Sequence, residues 1–268
     1  MKNEPFIGKI NIGHGTVPYF KAGSGDRNFV MIPGVGLKSA VPMAPAITAL
    51  FESFLEKYTI WLFDRIEGLP DGYSVRDMAE DEAMAMEKAG ITNADVLGNS
   101  MGGMIGIVLA AEHPELVRRM MLASTIPCQN RVSRATFDRW VKLGEGDDVV
   151  ALNRDYYKKV YSRDYYNRFK TAIQAIEKDG TPEEMRCFAV QAGACRWFDG
   201  REELKKIQAK VMVTGVWHDR VLSGKGAVQI ASKLRCALYM DPDCGHDAVD
   251  ESPDYLKMLY SFLTEDDK

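Results

Sequence analysis

The chain has 268 residues, 46% of them hydrophobic, and a formal net charge of −4 at pH 7. That is enough for one large domain with a full core, or a domain with an insertion, and it excludes two classes of partner: no lysine–arginine cluster is dense enough for a nucleic-acid surface, and no apolar run reaches the roughly 18 residues of a membrane helix. Met1-Lys2-Asn3-Glu4-Pro5 opens no signal peptide, and the five cysteines (Cys128, Cys187, Cys195, Cys236, Cys244) are odd in number and match no zinc spacing, so they read as free thiols of a cytoplasmic protein.

Residues 6–12 and 16–21 are short alternating runs around Gly13-His14-Gly15 and predict an antiparallel hairpin. Residues 28–32 predict a buried strand, followed by Pro33-Gly34-Val35-Gly36 and a helix over 44–57. The next strand is 59–63, ending at Asp64. Residues 74–89 form an amphipathic helix: Val75, Met78, Ala79, Ala83 and Met86 recur at spacings of three and four, and acidic residues concentrate on the other side. Ser74, with Asp77 three residues on, marks its start. Strand 94–97 and an apolar helix 101–112 follow, then strand 119–123. Strands resume at 210–214 and 237–240, with a helix over 226–234 between them, and 253–263 predicts a last amphipathic helix. Alternating strands and helices imply a mostly parallel eight-stranded sheet covered on both faces.

Residues 126–200 break the alternation. They read as helical and hold 11 of the chain's 26 aromatic residues, Trp140, Tyr161 and Trp197 among them. That enrichment suits a lid over an apolar pocket, or a small helical core of its own. The expected division is therefore a core of 1–125 and 201–268 with a helical cap of 126–200 inserted after the sixth strand. Trp140, Tyr161 and Trp197, with Gly34, are candidate substrate-binding residues.

Gly98-Asn99-Ser100-Met101-Gly102 carries the G-x-S-x-G pattern of a nucleophile elbow, with a strand before it and a helix after it. So tight a turn strains the serine backbone and needs small neighbours two residues either side. A serine hydroxyl is a poor nucleophile until a base takes its proton, and that base must be held in one tautomer by a third group. There are four histidines. His14 is expected at the surface of the hairpin turn, His113 at a helix end, and His218 in a loop after a strand. His246 follows the last strand at the carboxyl edge of the sheet, where clefts form in parallel α/β folds, and is the candidate base. The acid should lie between serine and histidine in the chain. Asp219 is the choice, with Asp241 and Asp243 as weaker candidates from the histidine's own loop. The oxyanion requires backbone N–H donors, and Met101 and Val35 are best placed to supply them.

Taken with His113-Pro114-Glu115-Leu116-Val117, the segment 215–223 and Gly245-His246, these motifs resemble the α/β-hydrolase family in its single-domain, lidded form. The resemblance implies Ser100 as nucleophile, His246 as base, Asp219 as orienting acid, and a cap made by the insertion. Two places depart from the family. Its oxyanion loop usually begins His-Gly, where this chain has Pro33-Gly34. Its loop after the fourth strand usually reads Asp-x-x-Gly-x-Gly-x-Ser, where this chain has Asp64-Arg65-Ile66-Glu67-Gly68-Leu69-Pro70.

The expected function is a serine hydrolase of small esters, thioesters or lactones, working through an acyl-enzyme on a small-molecule acyl substrate. No cofactor or metal is implied, since the chain has no His-x-x-x-His and no phosphate loop; a monomer or homodimer is expected. The same triad supports carbon–carbon bond hydrolysis or acyl transfer. A ligand receptor with little turnover is the alternative outside enzymology.

Overall fold

The computed structural model describes residues 4–265; the start of the N-terminal stretch read for a signal peptide, residues 1–3, lies outside them. Eight strands form one sheet in the order β1-β2-β4-β3-β5-β6-β7-β8. They are β1 (Phe6–Asn11), β2 (Thr16–Ala22), β3 (Arg27–Ile32), β4 (Tyr58–Phe63), β5 (Ala94–Asn99), β6 (Val117–Ala123), β7 (Lys210–Val216) and β8 (Ala237–Asp241). β1 and β2 pair antiparallel as a hairpin, and β2 joins β4 antiparallel. From β4 to β8 every pairing is parallel.

The helices are α1 (Ala44–Leu50), α2 (Val75–Lys88), α3 (Met101–Glu112), α4 (Arg131–Gly144), α5 (Val149–Val160), α6 (Arg163–Arg168), α7 (Lys170–Ile176), α8 (Pro182–Arg196), α9 (Lys225–Leu234), α10 (Ala248–Glu251) and α11 (Tyr255–Thr264). The central strands are apolar on both faces because both faces are covered. Val30, Ile32, Val96, Met120 and Leu122 pack with residues of α2, α3 and α9. Their neighbours Phe29, Met31, Leu97, Met121 and Ala123 point the other way, into a core shared with α1 and α11. Between β6 and β7 lie the five helices α4 to α8, where α4 packs on α8. Trp140, Phe137, Phe188 and Tyr156 form a ring cluster there, with centroids 5.3 to 5.9 Å apart.

Two details differ from the pattern reading. The helix expected over 44–57 stops at Leu50, and Glu52–Phe54 turn as a 3₁₀ helix. Phe51 and Phe54 are both buried, with ring centroids 5.2 Å apart; a three-residue turn stacks such positions more closely than an α-turn does. The second difference is on α2. Its capping box forms as expected, with Asp77 N–H donating to Ser74 Oγ and Ser74 N–H to Asp77 Oδ2. Its acidic residues are not all solvated, however: Asp81 and Glu82 are buried. Asp81 is satisfied by His14 Nε2 at 2.8 Å and the Tyr73 hydroxyl at 2.9 Å. Helical periodicity could not show this, because the partners come from the hairpin turn and the loop before the helix. Among the described residues no helix is long and apolar enough to cross a membrane.

Candidate active site

Each parallel strand delivers its following loop to the same edge of the sheet, and the candidate residues gather there. β5 ends at Asn99 and α3 begins at Met101, so Ser100 alone makes the turn. Its backbone has φ 57° and ψ −116°, a strained conformation for a side chain with a Cβ. The turn brings chains so close that a Cβ on Gly102 would lie 1.9 Å from the Ile32 carbonyl oxygen. One on Gly98 would lie 2.6 Å from the Gly102 oxygen. Hydrogen bonds hold the strain: Ser100 N–H donates to Ala123 O at 2.9 Å, and the Thr125 hydroxyl donates to Ser100 O at 2.8 Å.

Ser100 Oγ is 2.8 Å from Nε2 of His246. On the other side of the ring, Nδ1 is 2.9 Å from Oδ2 of Asp219. The second oxygen of Asp219 accepts the N–H groups of Val221 and Leu222, at 2.7 and 2.8 Å. All three residues are buried. Burial pulls the imidazole toward the neutral form, but the charge and hydrogen bond of Asp219 more than offset this and hold its pKa above 6.5. Burial likewise opposes the Asp219 charge; His246 and the two backbone donors outweigh it and keep that carboxyl below its usual value. The carboxylate fixes Nδ1 as the donor, which leaves Nε2 able to accept a proton from the hydroxyl.

Among the described residues neither weaker acid candidate bonds to the ring. Asp241 Oδ1 accepts the N–H groups of Asp243 and Cys244, both at 2.9 Å, and so shapes the loop that carries His246. Asp243 is exposed, and among the described residues only its backbone is bonded there. His14, half exposed, pairs with Asp81, His113 lies 2.9 Å from Glu80, and His218 is exposed. Glu87, His113 and Glu115 offer ligand atoms within 4.8 Å of one another, but they are surface groups away from this edge and nothing else marks them as a metal site.

The loop after β3 lies directly over the serine. A Cβ on Gly34 would sit 3.1 Å from Ser100 Cβ. Val35 follows it, and Met101 opens α3. Neither N–H is taken by an acceptor among the described residues. A cavity of about 580 Å³ opens above, lined by Gly34, Val35, Ser100 and His246 from the sheet edge and by Trp140, Tyr156 and Tyr161 from the helical insertion. That volume suits a small organic molecule. Of the four candidate substrate-binding residues, Gly34, Trp140 and Tyr161 reach this cavity. Trp197 does not. It is 77% exposed and stacks with the Arg196 guanidinium at the end of α8.

Residues not singled out from the sequence shape the loop over the serine. Arg65 Nη2 donates to Pro33 O at 2.5 Å. The Tyr156 hydroxyl donates to Val35 O at 3.0 Å. Gln191 accepts the Gly36 N–H at 3.2 Å and donates to Gly36 O at 3.0 Å. Asp64 accepts Ser39 Oγ at 2.6 Å and Ala40 N–H at 2.8 Å. Asp64 and Arg65 stand at a strand end on the functional edge, a usable hint. Nothing local marks Tyr156 or Gln191, which lie 121 and 155 residues from their partners.

The fold and this edge arrangement define an α/β-hydrolase. The alpha/beta hydrolase fold family matches residues 28–253, and the chain belongs to it. Across 97% of its length it is 26% identical to the pyrrolizixenacetamide deacetylase of Xenorhabdus hominickii, 99% of which is covered. Two solved structures show the same fold. MGS-M2, an alpha/beta hydrolase enzyme from a Medee basin deep-sea metagenome library, superposes with a TM-score of 0.87 at 17% identity, over 97% of this chain and 98% of its own. The enol-lactonase of Burkholderia xenovorans LB400 superposes with a TM-score of 0.79 at 19% identity, over 96% and 100%.

Proposed function

We propose that this hydrolase cleaves a small acyl ester, thioester or lactone through a covalent acyl-enzyme, with Ser100 as nucleophile, His246 as base and Asp219 as the group that orients it. The observation that carries the reading is the unbroken chain of hydrogen bonds from Ser100 Oγ through both ring nitrogens to Asp219, centred on a serine held in strained backbone geometry. His246 Nε2 removes the hydroxyl proton as Oγ attacks the acyl carbon. The carbonyl oxygen becomes an oxyanion, received by the N–H groups of Val35 and Met101; each donor in such a hole is worth about 3 kcal/mol in the transition state. The imidazolium then protonates the leaving group. Water, deprotonated by the same ring, attacks the acyl carbon and frees Ser100.

In this reading residues 1–125 and 201–268 are the core and 126–200 the cap. Trp140, Tyr156 and Tyr161 close the cavity from the cap side and favour an apolar acyl or leaving group. The deacetylase relative, matched along almost its whole length, favours amide deacylation as a second reading, with the same acyl-enzyme and an amine as leaving group.

The test is hydrolysis of p-nitrophenyl esters of increasing chain length, beside the corresponding acyl anilides, by wild type and Ser100→Ala. The expected result is turnover of short acyl groups by wild type and none by Ser100→Ala. Anilide cleavage would select the second reading, and equal activity of the two proteins would overturn both.

A further inference from the structure

Glycines precede and follow the Val35 donor. The peptide that carries the donor joins Gly34 to Val35, and on the Gly34 side no side chain restricts its rotation. Catalysis by an oxyanion hole depends on donors fixed before the reaction. Something other than the loop's own backbone must fix this one.

The hydrogen bonds around the loop fall in a specific pattern. The Val35 N–H belongs to the peptide joining residues 34 and 35. The peptide before it, joining 33 and 34, is held at its carbonyl by Arg65. The peptide after it, joining 35 and 36, is held at both ends: its carbonyl, Val35 O, accepts from Tyr156, and its N–H, that of Gly36, donates to Gln191. The amide of Gln191 also donates to Gly36 O, so it grips residue 36 by both backbone groups. Gln191 is buried and has no ionisable group. Tyr156, itself part of the ring cluster in the insertion, comes from α5, and Gln191 comes from α8.

We infer that Tyr156 and Gln191, with Arg65, are positioning residues that set the oxyanion donor, so that the helical insertion completes the catalytic site as well as covering it. The inference rests on the proposed acyl-transfer reading. At Pro33-Gly34, where the family's loop usually begins His-Gly, three side chains from elsewhere hold the carbonyls and N–H around it. Whatever displaces α5 or α8 from the loop releases the 35–36 peptide and loosens the donor on its other side. The hydrolytic machinery is then fully assembled only with the insertion seated.

The experiment measures kcat and KM for a p-nitrophenyl ester with wild type, Tyr156→Phe, Gln191→Leu, the double variant and Gln191→Glu, with Ser100→Ala as control. Removing an oxyanion donor outright costs about 10²–10³ in kcat, and a loosened donor is expected to cost about tenfold. Each single variant should therefore lose about tenfold in kcat with KM within about twofold, and the double variant should lose less than the product, because both pins act on one peptide. Gln191→Glu adds a pH signature. As a carboxylate, residue 191 accepts from Gly36 N–H but cannot donate to Gly36 O; as a neutral acid it does both. Its kcat deficit relative to wild type should shrink as the pH falls while its thermal stability and KM stay level; a deficit that follows loss of stability is the mark of a merely structural role. A rise in KM with kcat unchanged would make these residues substrate contacts and overturn the inference, as would unchanged kinetics. If Gln191→Leu does not fold, Tyr156→Phe, which loses one hydroxyl, and Gln191→Glu decide. Loss of activity in Ser100→Ala with intact pin variants sinks only this inference; retained activity in Ser100→Ala sinks the reading beneath it.

Discussion

Replacing Asp219 by asparagine changes one atom's chemistry and almost no volume. The surroundings dictate which way the new amide faces. The Oδ1 side is committed to the N–H groups of Val221 and Leu222, and an NH₂ there would meet two donors. The amide oxygen must take that side, which turns the NH₂ toward His246 Nδ1, 2.9 Å away in the wild type. Nδ1 then has to accept, the ring proton moves to Nε2, and Nε2 faces Ser100 Oγ as a donor that cannot take its proton. A tautomer error of this kind costs about 10⁴ in kcat, or about 5 kcal/mol of transition-state stabilisation. The assay is ester hydrolysis at saturating substrate, with thermal unfolding to show that the variant, which keeps both turn bonds, is folded. A folded Asp219→Asn retaining more than a tenth of wild-type kcat would refute this reasoning.

Three further outcomes are expected. His246 must be neutral to act as base, and its pKa is held above 6.5 because Asp219 outweighs the burial that lowers it; kcat/KM should rise with pH through a midpoint above 6.5, and a midpoint below 6 would contradict the pairing. Glu82 is buried beside Arg65, and burial raises its carboxyl from 4.5 to about 8. A raised acid is neutral in the fold while the unfolded chain ionises, so stability falls as the pH climbs from 4.5 toward 8. Glu82→Gln should relieve this by at most about 3 kcal/mol at pH 7, seen as a urea midpoint difference that widens with pH and absent if the difference is flat. Trp197→Ala should leave kcat/KM within about twofold of wild type, since that ring is 77% exposed and lies outside the cavity; a larger loss would place it in substrate binding.

The sheet was legible because its central strands are apolar on both faces. Runs such as Phe29-Val30-Met31-Ile32 and Val96-Leu97 need no partner information to read as buried. The elbow was legible because sterics force small residues at 98 and 102. His246 and Asp219 were chosen from chain order and strand ends, and the structure places the His246 ring between the Ser100 hydroxyl and the Asp219 carboxylate. Where the reading went astray, the cause was tertiary surroundings that no local pattern carries. Glu82 looks like a solvated helix residue and is buried, within the electrostatic influence of Arg65 and Asp64 after β4. Trp197 has the composition of a pocket residue, yet α8 ends with it turned to solvent. Tyr156 and Gln191 act on a loop more than a hundred residues away, which no local pattern encodes.

The most direct measurement is labelling of the folded protein with a fluorophosphonate probe, followed by peptide mass spectrometry. One adduct per chain at Ser100, abolished in Ser100→Ala and strongly slowed in His246→Ala, is the expected result. A folded wild-type protein that takes no adduct at Ser100, or takes one at the same rate without His246, would contradict a serine activated by its neighbouring imidazole.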